Sequence, residues 1–80
     1  MPQKSPKRLP SDLPRTKAIN AFGRLGIHLL RDGKEHSVYG DPTDPTRSAA
    51  VPRHSRLNRN TLRKILRGLR ISEEELMERY

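Results

Sequence analysis

Residues 27–40 read IHLLRDGKEHSVYG, and this stretch decides the class of the fold. Its first apolar run, Ile27 to Arg31, lies between two glycines and is too short for a helix, but it is long enough for a strand. Asp32 to Glu35 have the composition of a tight turn, and His36 to Gly40 predict a second strand. The stretch therefore predicts two strands joined by a turn.

A third strand is predicted downstream of this pair. Residues 41–46 read DPTDPT, which is turn chemistry throughout, and they predict a hairpin loop. Ser48 to Pro52 predict a short strand that ends at Pro52, since proline cannot donate to a strand ladder. Together the three segments predict an antiparallel sheet.

A helix is predicted before the strands. Apolar residues recur at helical spacing from Ala18 to Leu25, which predicts a helix over residues 16–25. Thr16 or Asp12 is expected to cap its start, and Gly26 is a natural C-terminal stop.

Two helices are predicted after the strands. The first has its apolar residues at i, i+3, i+4 and i+7, namely Leu62, Ile65, Leu66 and Leu69. Asn58 or Asn60 is expected to cap it. Ser72 and Glu75 form a capping-box pattern, which predicts a final helix of about residues 73–79. The order helix, three strands, helix and short helix predicts an α+β fold.

The N-terminal residues have a different composition. Residues 1–14 contain four prolines among lysine, arginine and serine, and proline fixes φ and removes a backbone donor. We expect a basic, proline-rich flexible tail over residues 1–14, extended over residues 1–11, followed by a single domain over residues 15–80.

The overall composition limits the class of protein. Only 31% of the 80 residues are hydrophobic, and there is no cysteine, which fits a reducing compartment. No apolar run approaches the roughly 18–20 residues that a bilayer requires. The basic N-terminus has no hydrophobic stretch behind it, so it does not resemble a secretory signal. The expected location is the cytoplasm.

Positive charge is concentrated in one part of the chain. Seventeen Lys and Arg against nine Asp and Glu give a net charge of +8. Residues 53–70 contain seven basic side chains and no acidic one, whereas four of the acids lie beyond, at Glu73, Glu74, Glu75 and Glu78. This segregation predicts nucleic acid or an acidic protein as partner. A stripe formed by Arg63, Arg67 and Arg70 suits phosphate contacts or an acidic docking surface, unless it is only solvated.

The three histidines are the candidate catalytic groups. Five scattered glycines match no phosphate-binding loop, and His28, His36 and His54 lack metal-ligand spacing, so no metal or cofactor is expected. Imidazole exchanges protons near neutral pH, and RNA carries its own nucleophile, the 2′-hydroxyl. One histidine surrounded by cations therefore meets the minimum chemical requirement of a metal-independent ribonuclease.

Three stretches together resemble the HicA family of toxins from toxin–antitoxin systems. Residues 25–36 (LGIHLLRDGKEH) are similar to its signature of a helix ending in glycine, an apolar strand and Gly-x-x-His. Residues 47–54 (RSAAVPRH) are similar to its third strand with a Pro-x-His ending. Residues 61–66 (TLRKIL) and 71–74 (ISEE) resemble its closing helix and the turn after it. The likeness covers residues 15–77, with the pieces in the family's order.

The resemblance implies a fold like that of a double-stranded-RNA-binding domain. It also implies cleavage of messenger RNA and neutralisation by a HicB-like antitoxin. The family's essential histidine corresponds to His36. We expect the RNA to be contacted by further residues of the basic segments: Lys34, Arg53, His54, Arg63 and Arg67.

The chain departs from the family pattern beside that histidine. The family has a small polar residue after the glycine and Asn, Ser or His before the histidine, where this chain has Lys34 and Glu35. Two alternatives remain: a non-catalytic RNA-binding module of the same fold, and a helix-turn-helix DNA-binding domain, which residues 62–76 also resemble. Helix-turn-helix domains are all helical, and the predicted strands weigh against that class.

Overall fold

The computed structural model describes residues 9–80, so residues 1–8 of the expected tail lie outside it. Strands and helices are mixed along the chain. Their order is β1 (Asp12–Pro14), α1 (Arg15–Arg24), β2 (His28–Asp32), β3 (His36–Asp41), β4 (Asp44–Pro52), β5 (Arg56–Asn58), α2 (Arg59–Leu69) and α3 (Glu73–Arg79). The predicted α+β class is confirmed, and an all-helical helix-turn-helix domain is excluded.

The three predicted strands form one antiparallel sheet in the order β2-β3-β4. Asp41 pairs with Asp44, so β4 begins at Asp44 and the predicted loop over 41–46 is too long. The turn is tight because the carboxylate of Asp41 accepts hydrogen bonds from the backbone N–H and the hydroxyl of Thr43, at 2.8 and 2.7 Å. Pro45 fits within β4 because this strand lies at the edge of the sheet.

A second, two-stranded sheet corrects the expected tail. Leu13 of β1 pairs with Leu57 of β5, and the side chains of Leu9 and Leu13 are each 1% exposed. Residues 9–14 are therefore part of the domain, because apolar side chains among the prolines reach the core. Helix α1 then begins at Arg15 behind Pro14, and neither Thr16 nor Asp12 caps it.

The helix ends follow local sequence signals at the other positions. Gly26 has φ of 83° and lies just past α1, where the N–H of Ile27 donates to the carbonyl of Phe22 at 2.9 Å. The side chain of Asn58 accepts from the backbone of Thr61, so Asn58 is the cap of α2. The capping box that begins α3 is present as predicted. None of the helices within residues 9–80 is long and apolar enough to cross a membrane.

One face of the three-stranded sheet packs against the hydrophobic core. Ser37 and Val51 are buried on the covered face, where Tyr39 and Ala49 also pack against the core. Because strand side chains alternate between faces, the residues between these lie on the opposite, uncovered face. We call this the open face, and its members are His28, Arg31, His36, Val38, Gly40, Ser48, Ala50 and Pro52.

Candidate functional site

His36 lies at a groove between the sheet and helix α2. It is the first residue of β3, it pairs with Pro52 of β4, and its side chain is exposed. The groove has a volume of about 410 Å³ and follows the outer edge of β4. Its lining consists of His36, Ser48, Ala49, Ala50, Pro52, Thr61, Lys64, Ile65 and Gly68.

Helix α2 forms the side of this groove that lies opposite the sheet. Thr61, Lys64 and Gly68 are three and four residues apart, so they lie on one flank of the helix. Gly68 permits the close packing of α2 on β4, since a Cβ there would be 2.8 Å from the carbonyl oxygen of Ser48. The groove therefore combines an imidazole, an ammonium and a hydroxyl in one accessible cleft.

A hydrogen-bond network lies behind His36, on the covered face. Among the residues from Leu9 onward, Ser37 is the one buried polar residue, and its hydroxyl donates to the Asp32 carboxylate at 2.8 Å. Arg15 donates from Nε to the carbonyl of Pro52 at 2.8 Å and contacts the Ser37 hydroxyl at 3.4 Å. The network thus holds Ser37, which follows His36, and Pro52, which pairs with His36 in the sheet.

Arg53 holds the turn in front of His36. Its guanidinium donates to the Asp32 carboxylate, to the carbonyl of Gly33 and, at 2.6 Å, to the carbonyl of Lys34. The backbone N–H of Gly33 donates to the carbonyl of His36 at 2.9 Å, which closes the turn. Hydrogen bonds hold the pKa of Asp32 below its ordinary value, and the bond from the Arg53 guanidinium has a larger effect than that from the Ser37 hydroxyl. Arg53, expected to contact RNA, is engaged in positioning the turn.

The other expected RNA contacts divide into two groups. Lys34 is exposed in the turn just before His36, and Glu35 beside it is exposed as well. His54 is exposed in the connection from β4 to β5 and does not line the groove. Of the expected RNA contacts, therefore, only Lys34 is both exposed and close to His36 in the sequence.

Arg63 and Arg67 line a different depression. This second pocket, of about 290 Å³, is formed with Leu66, Ile71, Ser72 and Glu73. Nε of Arg63 donates to the Glu73 carboxylate at 3.1 Å. Arg70, the third member of the predicted stripe, lies 3.7 Å from Asp44 and donates to the Thr46 hydroxyl. The stripe is thus separated from the groove that contains His36.

Three cations near His36 have side chains without a partner among the described residues. Over residues 9–80, the side chains of Arg31, Lys34 and Lys64 form neither an ion pair nor a hydrogen bond. Arg31 is opposite Val38, two residues along β3 from His36 and on the same face. Neither Arg31 nor Lys64 is among the RNA contacts expected from the sequence. The helical spacing of Thr61, Lys64 and Gly68 indicates that Lys64 shares a flank of α2 with the other two residues.

Comparisons with known proteins add no assignment. No model of a known protein family matches the sequence, and a search of curated proteins found no match either. In the part of the chain that the structure describes, no three histidine, aspartate or glutamate side chains are placed to share a metal ion.

Proposed function

We propose that this protein is a metal-independent endoribonuclease, with His36 as its catalytic residue. One observation carries the proposal: an exposed histidine and an unpaired lysine, Lys64, line the same groove. A histidine can transfer a proton at neutral pH, and an unpaired ammonium stabilises negative charge on a phosphate.

The proposed reaction uses the nucleophile of the RNA itself. The 2′-oxygen forms a bond to phosphorus, and the bond from phosphorus to the 5′-oxygen breaks. The proton of the 2′-hydroxyl passes to a base, and the leaving 5′-oxygen takes up a proton. His36 serves one of these two proton transfers, and Lys64 and Lys34 counter the charge that develops on the phosphate.

The resemblance to the HicA family extends this proposal to a biological role. The observed order α1-β2-β3-β4-α2 agrees with a fold like a double-stranded-RNA-binding domain, to which β1 and β5 add a small second sheet. We propose accordingly that the chain is the toxin of a type II toxin–antitoxin system. It acts on messenger RNA in the cytoplasm, and a HicB-like antitoxin neutralises it.

Substitution of His36 tests the catalytic proposal. We expect His36→Ala to slow RNA cleavage by about 10²–10⁴-fold, as is typical of losing a general acid or base, and to relieve toxicity on expression. His54→Ala is the matched control for the rate of cleavage, because this histidine is exposed and lines neither the groove nor the open face. Cleavage by His36→Ala at the wild-type rate would refute the assignment. Binding of RNA without cleavage by the wild type would favour the non-catalytic module.

The products and the metal requirement test the route. Cleavage through the 2′-hydroxyl leaves a 2′,3′-cyclic phosphate and a 5′-hydroxyl, and it proceeds in EDTA. RNA methylated at its 2′-oxygens should resist cleavage. Strict dependence on Mg²⁺, or cleavage of the methylated RNA, contradicts this route.

A further inference from the structure

The open face of the three-stranded sheet has the features of a ligand surface. The hydrophobic core packs on its other side, and Arg31 and Ala50 on the open face are exposed while Val38 is half-buried. Leu30, at the bulge in β2, is 40% exposed. Its Cδ1 lies 2.8 Å from the position that a Cβ of Gly40 would take, so Leu30 covers this glycine on the open face.

The centre of the face is aliphatic and its borders are cationic. Val38 is paired with Ala50, and Leu30 lies over Gly40, two residues further along β3 on the same face. Arg31 stands at one border, on strand β2, and Lys64 of α2 stands at the other, beyond β4. His36 lies between these two cations, on the same face of the sheet.

This arrangement fits a single strand of RNA better than a duplex. A duplex presents its sugars and phosphates outward and keeps its bases stacked inside, so an aliphatic surface has little to contact there. A single strand offers unstacked bases to the apolar row and phosphates to the cations on either side. An acidic protein would also satisfy the cations. However, the position of His36 between the two cations favours an occupant with a bond for it to cleave.

We propose that the open face binds a single-stranded segment of RNA that crosses the strands from Arg31, past His36, to Lys64. The proposal rests on the ribonuclease function above and names the form of its substrate. Arg31 binds a phosphate on one side of the cleaved bond and Lys64 binds one near the groove, while a base packs on Leu30, Val38 and Ala50.

Binding of a non-cleavable RNA tests this surface apart from catalysis. The probe is a fluorescent, single-stranded RNA methylated at every 2′-oxygen, and its affinity is measured by anisotropy at several salt concentrations. We expect Arg31→Ala to weaken binding by about 5- to 10-fold, the effect of one charged phosphate contact. The slope of log affinity against log salt should fall by about 0.7, the value for one neutralised phosphate of a single strand.

A matched variant removes the same charge elsewhere. Arg79 of α3 also makes no side-chain ion pair or hydrogen bond within residues 9–80, and α3 packs against α1 rather than the open face. Arg79→Ala should leave the affinity and its salt slope unchanged. Ala50→Glu, which adds an acid to the apolar row, should weaken binding without altering the circular dichroism spectrum.

The outcomes separate this inference from the proposed function. Equal weakening by Arg31→Ala and Arg79→Ala, or equal affinity for the same RNA as a duplex, overturns the single-strand surface. Tighter binding of an acidic polypeptide such as polyglutamate than of the RNA overturns it in favour of a protein partner. If the RNA binds as expected but the wild type cleaves no unmodified RNA, the surface stands and the ribonuclease proposal fails. If the wild type cleaves RNA and Arg31→Ala binds the probe with normal affinity, the ribonuclease proposal stands and the proposed surface fails.

Discussion

At the scale of single residues, one arginine has a structural role that its charge alone does not indicate. The basic run over residues 53–70 marked Arg53 as an RNA contact, but its guanidinium holds the Asp32 carboxylate and two carbonyls of the turn before His36. A planar fork of donors can satisfy three acceptors at once, whereas a lysine ammonium cannot match this geometry. The turn therefore depends on arginine and not only on positive charge.

Replacing Arg53 should impair cleavage more than RNA binding. Arg53→Lys keeps the charge but loses the fork, so we expect kcat to fall by about 10- to 100-fold while KM changes little, since small displacements of catalytic groups are costly. Hydrogen exchange at the Gly33 amide, which is bonded to the carbonyl of His36, should become faster. Steady-state kinetics and exchange measured by NMR check the two effects.

Arg56 provides the control for this substitution. It forms an ion pair with Asp12 at 2.9 Å, in the small sheet that lies apart from the His36 turn. Arg56→Lys should leave both kcat and the Gly33 exchange rate unchanged. A loss of RNA affinity in Arg53→Lys, with kcat preserved, would show that Arg53 contacts RNA directly.

At the scale of elements, the contact between α2 and β4 shapes the groove. The glycine at position 68 allows the helix to approach β4, because a Cβ there would be 2.8 Å from the Ser48 carbonyl oxygen and 3.2 Å from the Ala49 side chain. Arg47 of β4 reinforces the contact by donating from Nε to the carbonyl of Leu69 at 2.6 Å. Close packing at this contact sets the distance across the groove between His36 and Lys64.

Two glycine substitutions test this packing. Gly23 of α1 has no atoms within 4 Å of a built Cβ, so Gly23→Ala should stabilise the protein by about 0.5–1 kcal/mol through helix propensity. Gly68→Ala has the same propensity gain, but it forces α2 away from β4. We expect it to lower the free energy of unfolding by about 1–3 kcal/mol, the usual cost of overpacking. Urea unfolding of both variants gives the comparison, and equal stabilisation of the two would refute the close contact.

The second pocket on α2 permits a test of the antitoxin proposal. Arg63 and Arg67 line it away from the His36 groove, and Arg67 forms no side-chain ion pair or hydrogen bond within residues 9–80, so an acidic antitoxin surface can pair with it. The double substitution Arg63→Glu and Arg67→Glu should weaken antitoxin binding, and it should reduce the salt dependence of that binding. RNA affinity should change less than it does on Lys64→Glu, which alters the groove itself. Titrations at two salt concentrations measure both affinities, and unchanged values for both partners would mean that the stripe is only a solvated surface.

At the scale of the whole molecule, most acidic groups with perturbed pKa values stabilise turns and strand pairs. The pKa of Asp12 is lowered chiefly by its hydrogen bond with Arg56, and that of Asp32 by its bond with Arg53. Threonine hydroxyls lower the pKa of Asp41 and of Asp44, and the backbone of Ser72 lowers that of Glu75. All five carboxylates are therefore favoured in their charged form by the fold.

Stability should decline in acid for this reason. A carboxylate whose pKa is lower in the folded state stabilises the protein above its ordinary pKa, and this contribution is lost as the pH falls through the folded value. The ordinary values are 3.8 for Asp and 4.5 for Glu, so the loss begins near these values and continues below them. Urea unfolding between pH 7 and pH 2 should show the decline, and Asp32→Asn should reduce it. A flat profile contradicts the assigned hydrogen bonds.

The local elements of this protein were determined by its sequence alone. The end of α1 just before Gly26 and the capping box of Ser72 and Glu75 depend on neighbours within about four residues, and the strands at 28–32 and 36–41 pair across a short turn. The spacing of side chains along the chain predicts contacts at such short separation directly. The position of His36 at the start of a strand followed from the same local pattern.

Only the tertiary structure decided which residues work together. The pairing of Leu13 with Leu57, the clamp that Arg53 forms on the His36 turn and the placement of Lys64 across the groove join residues far apart in the chain. The net charge is fixed by composition, but whether a given arginine is paired or free depends on which acid the fold brings to it. That is the physical reason why the sequence indicated a basic surface, whereas the fold decided that Arg31, Lys34 and Lys64 are the unpaired cations around His36.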